Sequence, residues 1–141
     1  MDNRVIAAYQ QLGFKLVVDP SVNYSGYFDA RSRSITMKQI DDSVYHELGH
    51  FLAFIAGNAD KTASFQSIFA AEKANVTAFN KAYVTQNASE YFAESVKDYI
   101  LNNASLKSTR PQTYAAVQNA LNQITDAQIA KIQKIYGAFW N

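Results

Sequence analysis

The chain has 141 residues, of which 48% are hydrophobic and 18% charged, a composition that can bury a core and argues against intrinsic disorder. Thirteen Lys and Arg stand against twelve Asp and Glu for a net charge of +1, and the basic residues are scattered from Arg4 to Lys134, which excludes a dedicated nucleic-acid surface. The length suits a single domain over residues 1–141, and a monomer is expected.

In chain order, Val5, Ile6, Tyr9 and Leu12 have the spacing of an amphipathic helix over residues 3–12, stopped by Gly13. Phe14 to Val18 is β-rich and ends at Asp19-Pro20, so it reads as a strand. Tyr24 to Asp29 and Ser34 to Lys38 flank a polar stretch and predict a hairpin, with Ile35 and Met37 facing inward. From Asp42 the period becomes helical, with Val44, Leu48, Phe51, Leu52 and Ile55 on one face and Gly57 as the stop. Further helices are predicted near 61–73, 88–101, 111–123 and 126–136. The last begins at a capping box, Thr125 to Gln128, and stops at Gly137. Strands first and helices later make the chain α+β.

The longest apolar run, Phe51 to Ala56, is far short of the ~20 residues that cross a bilayer, so no membrane span is expected. The residues after Met1 lead into no signal-peptide core. Cysteine is absent, which removes disulfides, thiolate metal sites and cysteine nucleophiles together.

Histidine occurs twice, and both copies fall in His46-Glu47-Leu48-Gly49-His50, an H-E-x-x-H pattern on a predicted helix. A spacing of four residues turns a helix by about 400°, so both imidazoles leave the same face one turn apart and can converge on one cation. Glu47 beside them has the position of the general base in zinc peptidases of this pattern. A third ligand is still required. The longer motif with a third histidine would need it at position 56, which is Ala56. A carboxylate is therefore expected, and Glu72, Glu90 and Glu94 are the candidates, with Asp60 and Asp98 weaker ones. Glu90 and Glu94 share a helix face, so one can bind metal while the other orients a ligand. Glu90 also stands three residues after Asn87, a capping-box position, and spacing alone does not separate it from Glu72.

The pattern His46 to His50, then Ser64-Phe65-Gln66-Ser67-Ile68-Phe69-Ala70, then Tyr83 seven residues before Glu90-Tyr91-Phe92-Ala93-Glu94, then Leu106-Lys107-Ser108 and Pro111-Gln112-Thr113-Tyr114 resembles the catalytic domain shared by anthrax lethal factor and the secreted Pro-Pro endopeptidases. The resemblance runs from about residue 14 to residue 122. It implies a compact zincin-like domain, a short N-terminal sheet with a hairpin followed by the active-site helix and a helical C-terminal half. It also implies one Zn²⁺ per chain held by His46, His50 and Glu90, with Glu94 behind them. Glu47 would be the base, Tyr83 would steady the oxyanion, and the substrate would be a peptide or protein cut outside the cell. Gly26, Tyr27 and Phe28 are expected to form the sheet edge along which an extended peptide pairs. Two other readings accompany this one. Repressor-cleaving metallopeptidases of the cytosol also have H-E-L-G-H and a glutamate-rich helix, and a degenerate module of the same fold would bind peptides without cutting them.

Overall fold

The structure, a computed structural model, describes residues 1–140. It is an α+β fold, mostly helical, with one three-stranded sheet. Helix α1 (Asn3–Gln11) starts where the Asp2 carboxylate accepts the Arg4 backbone N–H at 2.8 Å and ends at Gly13, whose φ of +78° turns the chain toward β1 (Lys15–Val18). The hairpin forms as expected from β2 (Gly26–Asp29) and β3 (Ser34–Met37), antiparallel with Gly26 opposite Met37. Strand β1 then pairs with β3 in parallel, giving the order β1-β3-β2. That order leaves β2 as a free edge. Ile35 and Met37 on β3 are fully buried, the inward pair that the alternation predicts.

Helix α2 (Ser43–Ile55) carries both histidines and lies between the sheet and helix α5 (Ala88–Leu101). Its face of Phe51, Leu52 and Ile55 is sealed in the core, with Phe14 and Phe28 packed around Phe51. The two helices approach unusually closely. A Cβ on Gly49 would sit 2.6 Å from the Ala93 carbonyl oxygen and 2.7 Å from its Cα, so only glycine allows this separation. Helix interiors normally disfavour glycine by about 1 kcal/mol relative to alanine. Here the missing side chain draws the Glu90–Glu94 face of α5 toward the imidazoles of α2.

The remaining helices depart from the sequence reading in several places. The segment predicted as one helix over 61–73 is split at Thr62, whose extended backbone separates a 3₁₀ turn (Ala59–Lys61) from α3 (Ala63–Glu72) and whose hydroxyl accepts the Phe65 N–H at 3.1 Å. Two short helices were not foreseen, α4 (Lys81–Val84) and α6 (Asn103–Thr109), each too brief to show a hydrophobic period. Helix α7 (Pro111–Asn122) follows as predicted. Helix α8 (Asp126–Trp140) runs straight through Gly137, which keeps helical backbone because tertiary contacts hold the turn beyond it. Trp140 donates its indole N–H to Ala30 O at 3.0 Å and lies under the Arg33 guanidinium, so the end of α8 fastens the β2–β3 turn. Thr125 caps α8 by accepting the Gln128 N–H, but the Gln128 amide reaches the last turn of α2 at Ile55 O, 2.8 Å away, instead of closing the capping box.

Candidate metal centre and its cleft

The first turns of two helices decide which carboxylate faces the histidines. At α5, Asn87 accepts the Glu90 backbone N–H at 2.8 Å. That bond is one half of a capping box, but the Glu90 carboxylate does not reach back to the Asn87 N–H to close it. It turns instead to the imidazoles, with Oε2 at 3.2 Å from His46 Nε2 and Oε1 at 2.9 Å from His50 Nε2. One donor atom from each of His46, His50 and Glu90 lies within 4.8 Å of the others, an arrangement that could hold a metal ion. One turn on, Glu94 Oε1 accepts from His46 Nδ1 at 2.9 Å. Pairing Nδ1 in this way fixes the ring and presents Nε2 to Glu90, the support a metal-binding histidine usually has.

Charges in the cluster tune one another. Burial opposes the charged form of His46, but the hydrogen-bonded carboxylates of Glu90 and Glu94 outweigh it and raise the imidazole to about 9. For Glu90, burial would raise the carboxyl, yet hydrogen bonds from His46 and His50 hold it well below the usual carboxylate range. Glu94 is likewise lowered against its burial by His46. Glu47 moves the other way. Burial pushes its carboxyl upward, more than the neighbouring imidazoles pull it down, which favours a group that can accept a proton and give it back.

Two further residues stand close to the cluster. Tyr83 lies on α4, its ring centroid 6.4 Å from that of His46, and is 55% exposed, so it is a cleft residue and no part of the core. Partial burial and the Glu90 carboxylate push its phenol up to about 12, which keeps it a hydrogen-bond donor at neutral pH. Gly26 on β2 faces Glu47. A Cβ there would lie 2.9 Å from Glu47 Cγ, 3.1 Å from its Oε2 and 2.9 Å from Met37 Sδ, so the strand can approach the carboxylate only because position 26 has no side chain.

The hydrogen-bond alternation of the hairpin aims the free edge. The Lys38 N–H donates to Ser25 O at 3.1 Å, which makes that pair hydrogen-bonded and the next pair, Gly26 with Met37, non-hydrogen-bonded. The backbone groups of Gly26 and Phe28 therefore point away from β3, on the α2 side, where the Phe28 N–H is directed at the Glu47 carboxylate. Phe28 packs its ring against His50 at 6.4 Å and Phe54 at 6.2 Å, whereas Tyr27 lies on the opposite face, 56% exposed. Of the expected edge residues, Gly26 and Phe28 face the cleft and Tyr27 offers only its backbone position.

Of the other carboxylates proposed from spacing, Asp60 stands outside the cluster in a pocket that His50 also lines, and Glu72 and Asp98 are elsewhere. Glu72 is buried at the start of α7, where it accepts from Gln112 N at 3.1 Å, Thr113 N at 2.8 Å and Thr113 Oγ1 at 2.7 Å. Asp98 pairs with buried Arg110 at 2.6 Å. Among the described residues, the only cluster that could hold a metal is His46, His50 and Glu90.

The model for the family described as anthrax toxin lethal factor, N- and C-terminal domain, matches residues 22–120. The chain belongs to this family. The matched stretch takes in β2, β3 and both helices that build the cluster, and so covers all the residues of the candidate centre. The chain is also similar to the Pro-Pro endopeptidase of Clostridioides difficile (strain 630), 41% identical over 78 residues, which is 52% of this chain and 34% of that protein. It thus spans about a third of the relative's length. Gly49 is a position the sequence reading passed over, and Gly26 was expected only as part of the peptide-pairing edge, not as a neighbour of Glu47. Both are ordinary glycines in sequence, and only the close approach of a second element shows why no Cβ fits.

Proposed function

We propose that the chain is a zinc-dependent endopeptidase with a zincin-like site, in which His46, His50 and Glu90 hold the ion and residues 1–141 act as one catalytic unit. The observation that carries this reading is the Glu90 carboxylate between the two Nε2 atoms. The fit to zinc rests on the donors: two imidazole nitrogens and one carboxylate are the set of a catalytic zinc site with one open position. The donor atoms of the three side chains lie within 4.8 Å of one another, close enough to share one ion. Bound there, zinc would supply a Lewis acid and acidify a water to a pKa of about 7.

The chain's own residues would do the rest. The free edge of β2 binds an extended peptide through the backbone groups of Gly26 and Phe28 and fixes the scissile carbonyl relative to α2. Glu47 takes the proton of the attacking water and returns it to the leaving amine. Tyr83 donates its O–H to the carbonyl oxygen as negative charge grows there. Glu94 keeps the His46 ring in place throughout.

Incubation of the zinc-loaded protein with a mixed peptide library, with cut sites read by mass spectrometry, tests the reading. Internal cleavage that a chelator abolishes is expected. Peptides bound but never cut would support the binding-only module instead.

A further inference from the structure

Four carboxylates of the chain are buried: Glu47, Asp60, Glu72 and Glu94. Burying a charged group is costly unless it is paired or has work to do. Glu72 takes hydrogen bonds from Gln112 and Thr113, and Glu94 pairs with His46. Glu47 is occupied by the proton transfer proposed above. Asp60 is left over. It is 6% exposed and makes no side-chain hydrogen bond and no ion pair within 4.0 Å among the described residues; its oxygens are not sealed off, since no fully buried side-chain oxygen there lacks a partner, so they keep what exposure the residue has. The ammonium of the next residue, exposed Lys61, does not reach it either.

Its position gives the carboxylate a use. Asp60 lines a pocket of about 270 Å³ that His50 also lines, so the pocket borders the candidate metal centre, and neither Gly26 nor Tyr83 lines it. Phe28 and Phe54 form aromatic walls, and Ser89 adds a hydroxyl. The loop that brings Asp60 there is turned by Gly57 and Asn58 in left-handed backbone, with φ of +76° and +60°, before the 3₁₀ turn packs against α2 and α5. Aromatic walls around a buried, unpaired carboxylate match a side chain with an apolar stem and a cationic end. The stem is sheltered by the rings, and the cation forms charge-assisted hydrogen bonds to the carboxylate and a favourable contact with the ring faces.

We propose that the pocket lined by Asp60, Phe28 and Phe54 is a subsite for a lysine or arginine side chain of the substrate, within a residue or two of the bond that is cut on the His50 side. It rests on the peptidase reading and names the substrate class of that same site. Lys61 lines the pocket too, but its exposed stem lets the ammonium turn to solvent when a second cation enters.

The test uses the full chain and pairs of extended peptides that differ only in having lysine or its uncharged isostere norleucine at one position, scanned along the peptide. For the zinc-loaded protein, cleavage should favour lysine over norleucine by at least tenfold at one position and by little elsewhere. In Asp60→Asn that ratio should fall close to one, with thermal melting used to verify that the variant is folded. The same pairs, fluorescently labelled, are titrated into Glu47→Gln, and here binding should show the same lysine preference and lose it when Asp60→Asn is added. Equal handling of lysine and norleucine at every position, in cleavage and in binding, would overturn the proposal. A preference retained by folded Asp60→Asn would overturn it as well. Asp60-dependent lysine binding without any cleavage would instead leave the subsite standing and contradict the peptidase reading.

Discussion

Glu90 lies in the first turn of α5 and Glu72 at the end of α3 beside the start of α7, and their surroundings give them opposite work. At α5, Asn87 accepts the Glu90 N–H, and the Glu90 carboxylate faces the two imidazoles rather than turning back to the helix start. At α7 the N-cap position is Arg110, whose side chain makes no capping bond, and Glu72 arrives from α3 to accept the exposed N–H groups of Gln112 and Thr113. Around it, Thr113 bonds to the Tyr91 hydroxyl at 2.6 Å, and Arg110 lies over the Tyr91 ring and bonds to Asp98. That second cluster is closed: every group in it answers another protein group, and it ties α3, α5 and α7 together. The centre at Glu90 is open on one side to the cleft. The difference lies in what each carboxylate meets: imidazoles for Glu90, and the exposed N–H groups of another helix for Glu72.

If this contrast is right, changes in the open cluster alter chemistry with little effect on stability, and changes in the closed one do the reverse. The largest effect is expected for Glu47→Gln, which keeps the donors and removes the base. Its kcat on a good peptide substrate should fall on the order of 10³-fold or more, with zinc content and melting temperature unchanged. Tyr83→Phe should lower kcat on the order of 10²–10³-fold while KM changes little, as expected if the phenol acts as charge develops on the oxyanion. A kcat within a few-fold of the unsubstituted protein would make Tyr83 a bystander.

Gly26→Ala sharpens the contrast from the strand side. The atoms its methyl would meet belong to the side chains of Glu47 and Met37, which can move, so the fold should survive while Glu47 is displaced. A loss of about 10- to 10²-fold in kcat with zinc retained is expected, in line with the sensitivity of proton transfer to sub-ångström positioning. The smallest effect on activity belongs to Glu72→Ala. It should leave zinc binding and kcat per folded molecule intact but cost about 1–3 kcal/mol of stability, read by denaturant unfolding, because the N–H groups at the start of α7 lose their acceptor.

Much of this was legible in the residues themselves. H-E-x-x-H needs only helical geometry to bring His46 and His50 together, and the alternation around Ile35 and Met37 fixed the inward face of the hairpin. The parallel pairing of β1 with β3 was not legible, because no local pattern records which strand a long connection returns to. Nor did spacing separate Glu90 from Glu72. Both satisfy the same count, and the deciding facts are the bonds of Glu72 to the start of α7 and the contact of α2 with α5 at Gly49, a tertiary event written locally only as a glycine inside a motif. Gly137 misled for the opposite reason: a glycine is a helix stop only when nothing beyond it is held, and Trp140 is held at Ala30. Asp60 shows no pattern at all in sequence, since its meaning lies in the partners it lacks.

The choice between the two clusters can be measured directly by metal analysis of the protein and of Glu90→Ala and Glu72→Ala, each titrated with zinc and freed of excess. The account predicts one zinc per chain for the unsubstituted protein and for Glu72→Ala, and affinity lowered at least tenfold in folded Glu90→Ala. Zinc retained at full affinity by Glu90→Ala, or lost from folded Glu72→Ala, would contradict it.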